Sequence, residues 1–350
     1  MSQFIRDKYK DFESYIPSEQ PTGGQLIKLN ANEAPYPPPS EVTSAISRTD
    51  FESLRLYPDS RGIKIRERIA KEFDVGTANV AISNGSDDML NYIVLAYGGK
   101  GILFPDITYS FYKVIAKLHD VNYRTAPLTE GMEISPNDYY NCDRTVMIAN
   151  PNAPTGIALS ASQIEAIVEK NSGNVVVIDE AYFGFGAETC IPLTKKYSNL
   201  LVVRTFSKSR SFAGGRLGFA IGNEALIDDL ILIKNSINPY PVGTINQILA
   251  EAVLDSREYY EEKTLEIQQT REYTKKELEK IGFRVLPSQT NFLFVRSDNI
   301  TGEDLCRKLD ENGILVRHFD SDKIKDYNRV TIGTRAEMDA FLVATRKALG

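Results

Sequence analysis

Between positions 80 and 221 the chain alternates short apolar runs with amphipathic stretches of helix length, and that alternation most narrows the folds open to it. The spacing predicts strands over 80–83, 102–104, 122–125, 145–149, 175–178, 200–203 and 217–221. Helices are predicted over 86–97, 109–119 and 161–170, with Gly98-Gly99-Lys100-Gly101 stopping the first. Strands separated by helices have crossover connections, so the expected architecture is α/β: a mostly parallel central sheet with helices on both faces. From 241 to 280 the pattern is one long, charged helix ending at Ile281-Gly282. The remainder reads strand, helix, strand, strand, helix, which suggests a smaller α+β unit. The expected division is 1–44 as an N-terminal arm, 45–255 as the large domain and 256–350 as the small one.

Composition removes several functions. A net charge of −6 argues against a general nucleic-acid binder, though not against a local basic pocket for an anionic metabolite. No apolar run approaches membrane-spanning length, and the charged first residues lack a signal-peptide core. Cys142, Cys190 and Cys306 are too few and too scattered for a disulfide framework or a zinc site, so a cytoplasmic protein without a metal is expected. His119 and His318, the only histidines, read as surface or structural residues and leave no material for a His-based triad. No Walker loop is present, and no G-x-G-x-x-G opens a helix.

What remains sits at the ends of the predicted strands. In an open α/β sheet, ligands bind beyond the carboxyl ends of the strands. Asn84-Gly85-Ser86-Asp87 joins a strand to a helix, whose first backbone N–H groups suit a phosphate. Asn150-Pro151-Asn152-Ala153-Pro154-Thr155-Gly156 is a rigid turn, and taken alone only a sharp connection. Asp179 follows an apolar run, where an acid is often a helix cap but can also face a ligand. Last comes Thr205-Phe206-Ser207-Lys208, with Arg216 eight positions after the lysine on a Gly-rich connection. An amine nucleophile beside hydroxyls and a guanidinium is the set a pyridoxal phosphate (PLP) enzyme needs: the amine condenses with the aldehyde and the donors hold the phosphate.

In this order the motifs resemble those of the fold-type I PLP-dependent aminotransferases, class I/II, over nearly the whole chain. Leu29-Asn30-Ala31-Asn32-Glu33-Ala34-Pro35-Tyr36 near the start and Arg329-Val330-Thr331-Ile332-Gly333-Thr334 near the end point more narrowly to the histidinol-phosphate aminotransferases. Tyr57-Pro58-Asp59 and Pro105-Asp106-Ile107-Thr108-Tyr109 add to the match.

The resemblance implies these roles. Lys208 binds the cofactor aldehyde and later moves the substrate proton; Asp179 keeps the pyridine nitrogen protonated; Tyr182 donates to the ring oxygen. Arg216, Ser207, Thr205 and the backbone of Gly85 and Ser86 cradle the phosphate, with Tyr109 stacked on the ring. Tyr57 reaches the phosphate of a neighbouring subunit, so a homodimer is expected. Arg329 and Arg317 recognise the substrate anions, and Asn32 and Tyr15 lie in the segment that covers the substrate. One position departs from the pattern. Many aminotransferases carry an asparagine before Pro-Thr-Gly, where this chain has Ala153, so either Asn152 supplies the amide or Tyr182 acts alone.

The expected reaction exchanges an amino group between L-histidinol phosphate and 2-oxoglutarate, and the expected partners are small molecules, not nucleic acid or membrane. An aromatic aminotransferase or a phospho-amino-acid decarboxylase would share this frame. A non-catalytic PLP-sensing module would need a basic DNA-binding segment and a damaged site, neither of which the sequence carries.

Overall fold

The computed structural model describes residues 2–17, 26–47 and 49–350. Its largest sheet has seven strands: β1 (Val80–Ser83), β2 (Ile102–Pro105), β3 (Tyr123–Ala126), β4 (Thr145–Ala149), β5 (Val176–Asp179), β6 (Leu200–Thr205) and β7 (Gly218–Gly222). Their spatial order is β1-β7-β6-β5-β4-β2-β3. The run from β6 to β3 is parallel, as the alternation predicts, and β7 pairs antiparallel with β1 and β6. β7 returns antiparallel through the lysine loop 206–217, which holds no α-helix to carry a parallel crossover.

Side chains alternate across the sheet, so each strand feeds two cores. On β5 and β6, Val177, Leu201 and Val203 join Met89, Leu90, Tyr112 and Ile115 on one face. Val176, Ile178, Leu200 and Val202 join Ile65, Ile69, Ile164 and Ile167 on the other. Each fully buried aliphatic side chain contributes roughly 1.5–3 kcal/mol, so the sheet is fixed before any functional group is considered.

A second sheet contains β8 (Phe283–Val285), β9 (Phe292–Ser297), β10 (Arg317–His318) and β11 (Asn328–Thr331), antiparallel in the order β10-β11-β9-β8. Helices Arg257–Lys280, Gly302–Asp310 and Arg335–Leu349 supply core residues to it, with Ile267, Leu278, Leu305 and Phe341 buried against Leu293 and Val295. The N-terminal segment belongs to this body: Ile27–Lys28 pairs in parallel with Ile314–Leu315, and Leu29 is part of the same core.

One expected element is different. The stretch 241–280 is two helices, Thr244–Asp255 and Arg257–Lys280, rather than one. They break at Ser256, whose hydroxyl donates to the Ala252 carbonyl at 2.8 Å, a side-chain bond that competes with the helix ladder. The stretch after 283 also contains more strand than expected, because the two-residue segments Ile314–Leu315 and Arg317–His318 are too short to leave a periodic signal.

Candidate active site

Asp179 ends β5 on the face that carries Val177, while its neighbour Glu180 points the opposite way. The two acids have different fates. Glu180 is buried in an ion pair with Arg204, whose Nη2 lies 2.6 Å from its carboxylate, and the guanidinium stacks over Phe183 at 3.5 Å. Asp179 is buried too, yet among the described residues no ion pair to it is found. It accepts from Tyr112 Oη at 2.8 Å and from the Ala181 N–H at 3.1 Å. Burial pushes its carboxyl up to about 6, while those two hydrogen bonds pull the other way. A buried carboxylate held by neutral donors fits a cationic ligand atom.

Lys208 leaves the end of β6 on the tight loop that leads to β7. Its Nζ lies 5.9 Å from the Tyr182 ring centre and donates to the Ala31 carbonyl at 3.2 Å. Burial draws the amine down to about 8, and the nearby Arg329 guanidinium adds to the effect. Tyr182 Oη accepts from Asn32 Nδ2 at 2.7 Å. Arg329, from β11, donates from Nη2 to the Asn30 carbonyl at 2.8 Å, whereas its buried Nε has no partner among the described residues. Arg317 is directly opposite Arg329 in the β10–β11 register, so both side chains leave the same face of the small sheet. Four of the sequence-derived residues, Asp179, Lys208, Asn32 and Arg329, thus gather around a fifth, Tyr182.

A second group forms the other half. Gly85 caps helix Ser86–Tyr97 at φ +82°, a conformation open to glycine. A Cβ there would lie 2.5 Å from Arg216 Nη2, and one on Gly218 would collide with the Gly85 backbone. The glycines therefore let a guanidinium, a helix N-terminus and a strand start share one small space. Arg216 Nη2 is 3.5 Å from Asp87 Oδ2, and Tyr109 Oη donates to Asp87 Oδ1 at 3.0 Å. Thr205 Oγ1 donates to Ser207 Oγ at 2.9 Å. Tyr15 packs edge-on against Tyr109 at 5.9 Å, bringing the N-terminal segment over the same side.

Two expected residues lie elsewhere. Asn152 is buried with its amide fully engaged: Nδ2 donates to the Ile107 carbonyl and to Thr155 Oγ1, and Oδ1 accepts from Thr108 at 2.8 Å. Its amide holds the turn together and has no donor left over, which favours the second of the two expected alternatives, Tyr182 alone. Tyr57 stands apart at 81% exposure, stacked on Tyr240 at 4.6 Å. Sequence reasoning missed Tyr112 and Asp87 as site residues. Tyr112 occupies the apolar face of its helix and looks like core; Asp87 was within a noted motif and reads as a simple helix-start acid.

The donor set fits pyridoxal phosphate. An amine of lowered pKa, a buried carboxylate for a ring N–H, a phenol for the ring oxygen and a helix N-terminus beside arginine for the phosphate match its four functional parts. No group of three or more metal-ligating side chains exists among the described residues, and no helix is long and apolar enough to cross a membrane.

Residues 24–344 match the family model for aminotransferase class I and II. A histidinol-phosphate aminotransferase from Brachyspira hyodysenteriae is 48% identical over 345 residues, covering 98% of each chain. Among solved structures, the histidinol-phosphate aminotransferase from Clostridium acetobutylicum superposes with a TM-score of 0.84 at 25% identity, over 93% of this chain and 99% of that one. The Sinorhizobium meliloti histidinol-phosphate aminotransferase, solved with pyridoxal-5'-phosphate, gives a TM-score of 0.81 at 24% identity over 92% and 90%.

Proposed function

The chain belongs to the class I and II aminotransferases, and from that premise we propose that it moves an amino group between L-histidinol phosphate and 2-oxoglutarate, in a homodimer. The observation that carries the substrate reading is the Arg317–Arg329 pair. Two guanidinium groups on one face, one of them, Arg329, near the reactive amine, suit a phosphate or a second carboxylate in turn. Full-length similarity to enzymes named for this reaction supports it.

Pyridoxal phosphate, when bound, supplies an aldehyde that exchanges one amine for another and a protonated ring that accepts the electrons left on the substrate. The chain's residues do the rest. Asp179 holds the ring proton. Tyr182 donates its hydroxyl proton to the ring oxygen, in place of the missing asparagine at Ala153. Lys208 would anchor the cofactor, and its amine, whose pKa burial draws down to about 8, would carry the proton at substrate Cα. Gly85, Ser86, Thr205, Ser207 and Arg216 hold the phosphate, Tyr109 covers the ring, and Arg329 orients the substrate carboxylate or phosphate.

The dimer reading rests on the surface around Tyr57. Phe51, Leu54 and Leu56 are also exposed and lead into it, and an apolar stretch of this kind marks an interaction surface. A large domain at 45–255 and a small one at 256–350 with the N-terminal segment complete the reading. We place the enzyme in the cytoplasm, where its three free cysteines would stay reduced.

Purified, PLP-loaded protein assayed with 2-oxoglutarate tests the substrate. We expect kcat/KM for histidinol phosphate to exceed that for phenylalanine by about 100-fold or more, because a site built for a charged group rejects analogues that lack it. The reverse preference would overturn the assignment.

A further inference from the structure

Three consecutive residues near the N-terminus each hold a different member of the site. The Asn30 carbonyl accepts from Arg329 at 2.8 Å, the Ala31 carbonyl accepts from Lys208 at 3.2 Å, and Asn32 Nδ2 donates to Tyr182 at 2.7 Å. The segment is itself fixed to the small sheet. The Leu29 carbonyl accepts from the Thr331 N–H, and the Asn32 carbonyl accepts from Asn291 Nδ2, both at 2.9 Å. Asn32 has a left-handed backbone (φ 54°), which asparagine tolerates better than most residues and which turns its side chain inward.

The hydrogen bonds here have a direction. The Asn32 backbone N–H can only donate, and it does so to Thr331 Oγ1 at 2.9 Å. The Thr331 hydroxyl proton is then directed to Asn32 Oδ1 at 3.1 Å. With its carbonyl end occupied, the Asn32 amide presents its NH₂ end to Tyr182 Oη. The phenol oxygen therefore accepts on that side, and its single proton must be given on another. We propose that Thr331 and Asn32 are positioning residues for Tyr182: a one-way chain that starts at a backbone N–H aims the phenol proton at the ring oxygen of the cofactor. This rests on the role proposed above for Tyr182. It also gives Asn32 a task different from the substrate contact that sequence resemblance implies.

A donor to the ring oxygen stabilises the more negative form left when the cofactor's chromophore loses its proton, so it lowers the pH midpoint of the visible absorbance change. Asn32→Asp replaces the donor by an acceptor and draws the Tyr182 proton toward residue 32. The PLP-loaded variant should show that midpoint raised by about one pH unit, the effect of one hydrogen bond to an ionised oxygen. Tyr182→Phe should raise it at least as far. Thr331→Val, nearly isosteric, frees the amide to turn over and should give a smaller rise in the same direction, while Thr331→Ser, which keeps the hydroxyl, should restore the original midpoint. A purely structural role would lower thermal stability or PLP affinity in these variants and leave the midpoint in place. If Tyr182→Phe shifts the midpoint but Asn32→Asp and Thr331→Val do not, the chain is refuted and the role of Tyr182 stands. If Tyr182→Phe leaves it unmoved, the role of Tyr182 falls and the inference with it.

Discussion

The large sheet and the small sheet contribute to one site in opposite ways. The large sheet offers groups from its strand ends: Asp179 at the end of β5, Thr205 at the end of β6, Lys208 and Arg216 on the loop that follows. The strands that bear or flank them are anchored in ladders buried on both faces. The small sheet offers Arg317 from its edge strand β10 and Arg329 from the adjacent β11, and Arg329 shares with Lys208 the segment 29–32, which crosses from the beginning of the chain. In the proposed function, chemistry is thus seated on strands buried on both faces, and anion recognition on the part assembled from distant pieces. Substitutions in the first should abolish turnover; those in the second should redistribute it between substrates.

The sharpest test of that division is Lys208→Ala, expected to lower kcat by about four orders of magnitude because both the cofactor anchor and the proton carrier are lost. Bound PLP should remain detectable, held by the phosphate cradle. Asp179→Asn should follow, with kcat reduced roughly 1,000-fold, and should carry a second signature. The folded carboxyl titrates near 6, above its ordinary value, so the fold favours the protonated form and loses that advantage as pH rises through about 6. At pH 8 the cofactor-free variant should therefore be more stable than the parent, by on the order of 2 kcal/mol, as read by chemical denaturation. Stability equal to or below the parent's would mean that the carboxylate is not strained by burial.

On the small sheet, Arg329→Gln should raise KM for both substrates by about 10- to 100-fold, the value of a hydrogen bond to a charged group. Arg317→Gln should raise KM for the phosphorylated amine more than for 2-oxoglutarate. Equal effects of the two variants on both substrates would remove the distinction between the arginines. The smallest expected effect is that of Tyr57→Phe, a loss of about tenfold in PLP affinity of the dimer through one phosphate hydrogen bond; unchanged affinity would leave Tyr57 a surface residue.

The same contrast explains what the sequence made legible. The seven strands of the large sheet read directly from local apolar runs, and the residues at their ends, Asp179 and Lys208 above all, could be picked out because their surroundings are built by neighbours in sequence. The small sheet hides its logic: Ile27 pairs with Ile314, and Asn32 with Thr331, nearly the whole chain apart, through segments of two to four residues with no periodicity to read. Asn152 is ambiguous in the sequence for a related reason. Its position beside Pro-Thr-Gly suggests a ligand-facing amide, and only the folded turn reveals that Thr108, Ile107 and Thr155 use every one of its polar atoms. Tyr112 illustrates the converse, a core aromatic by pattern whose hydroxyl reaches the carboxylate at the end of β5.

The most direct test is to reduce the PLP-loaded protein with borohydride and map the labelled peptide. The amine at 208, drawn down to about 8 by burial and by Arg329, should carry the pyridoxyl group in a single modified peptide. Label on any other lysine, or none, would contradict the account.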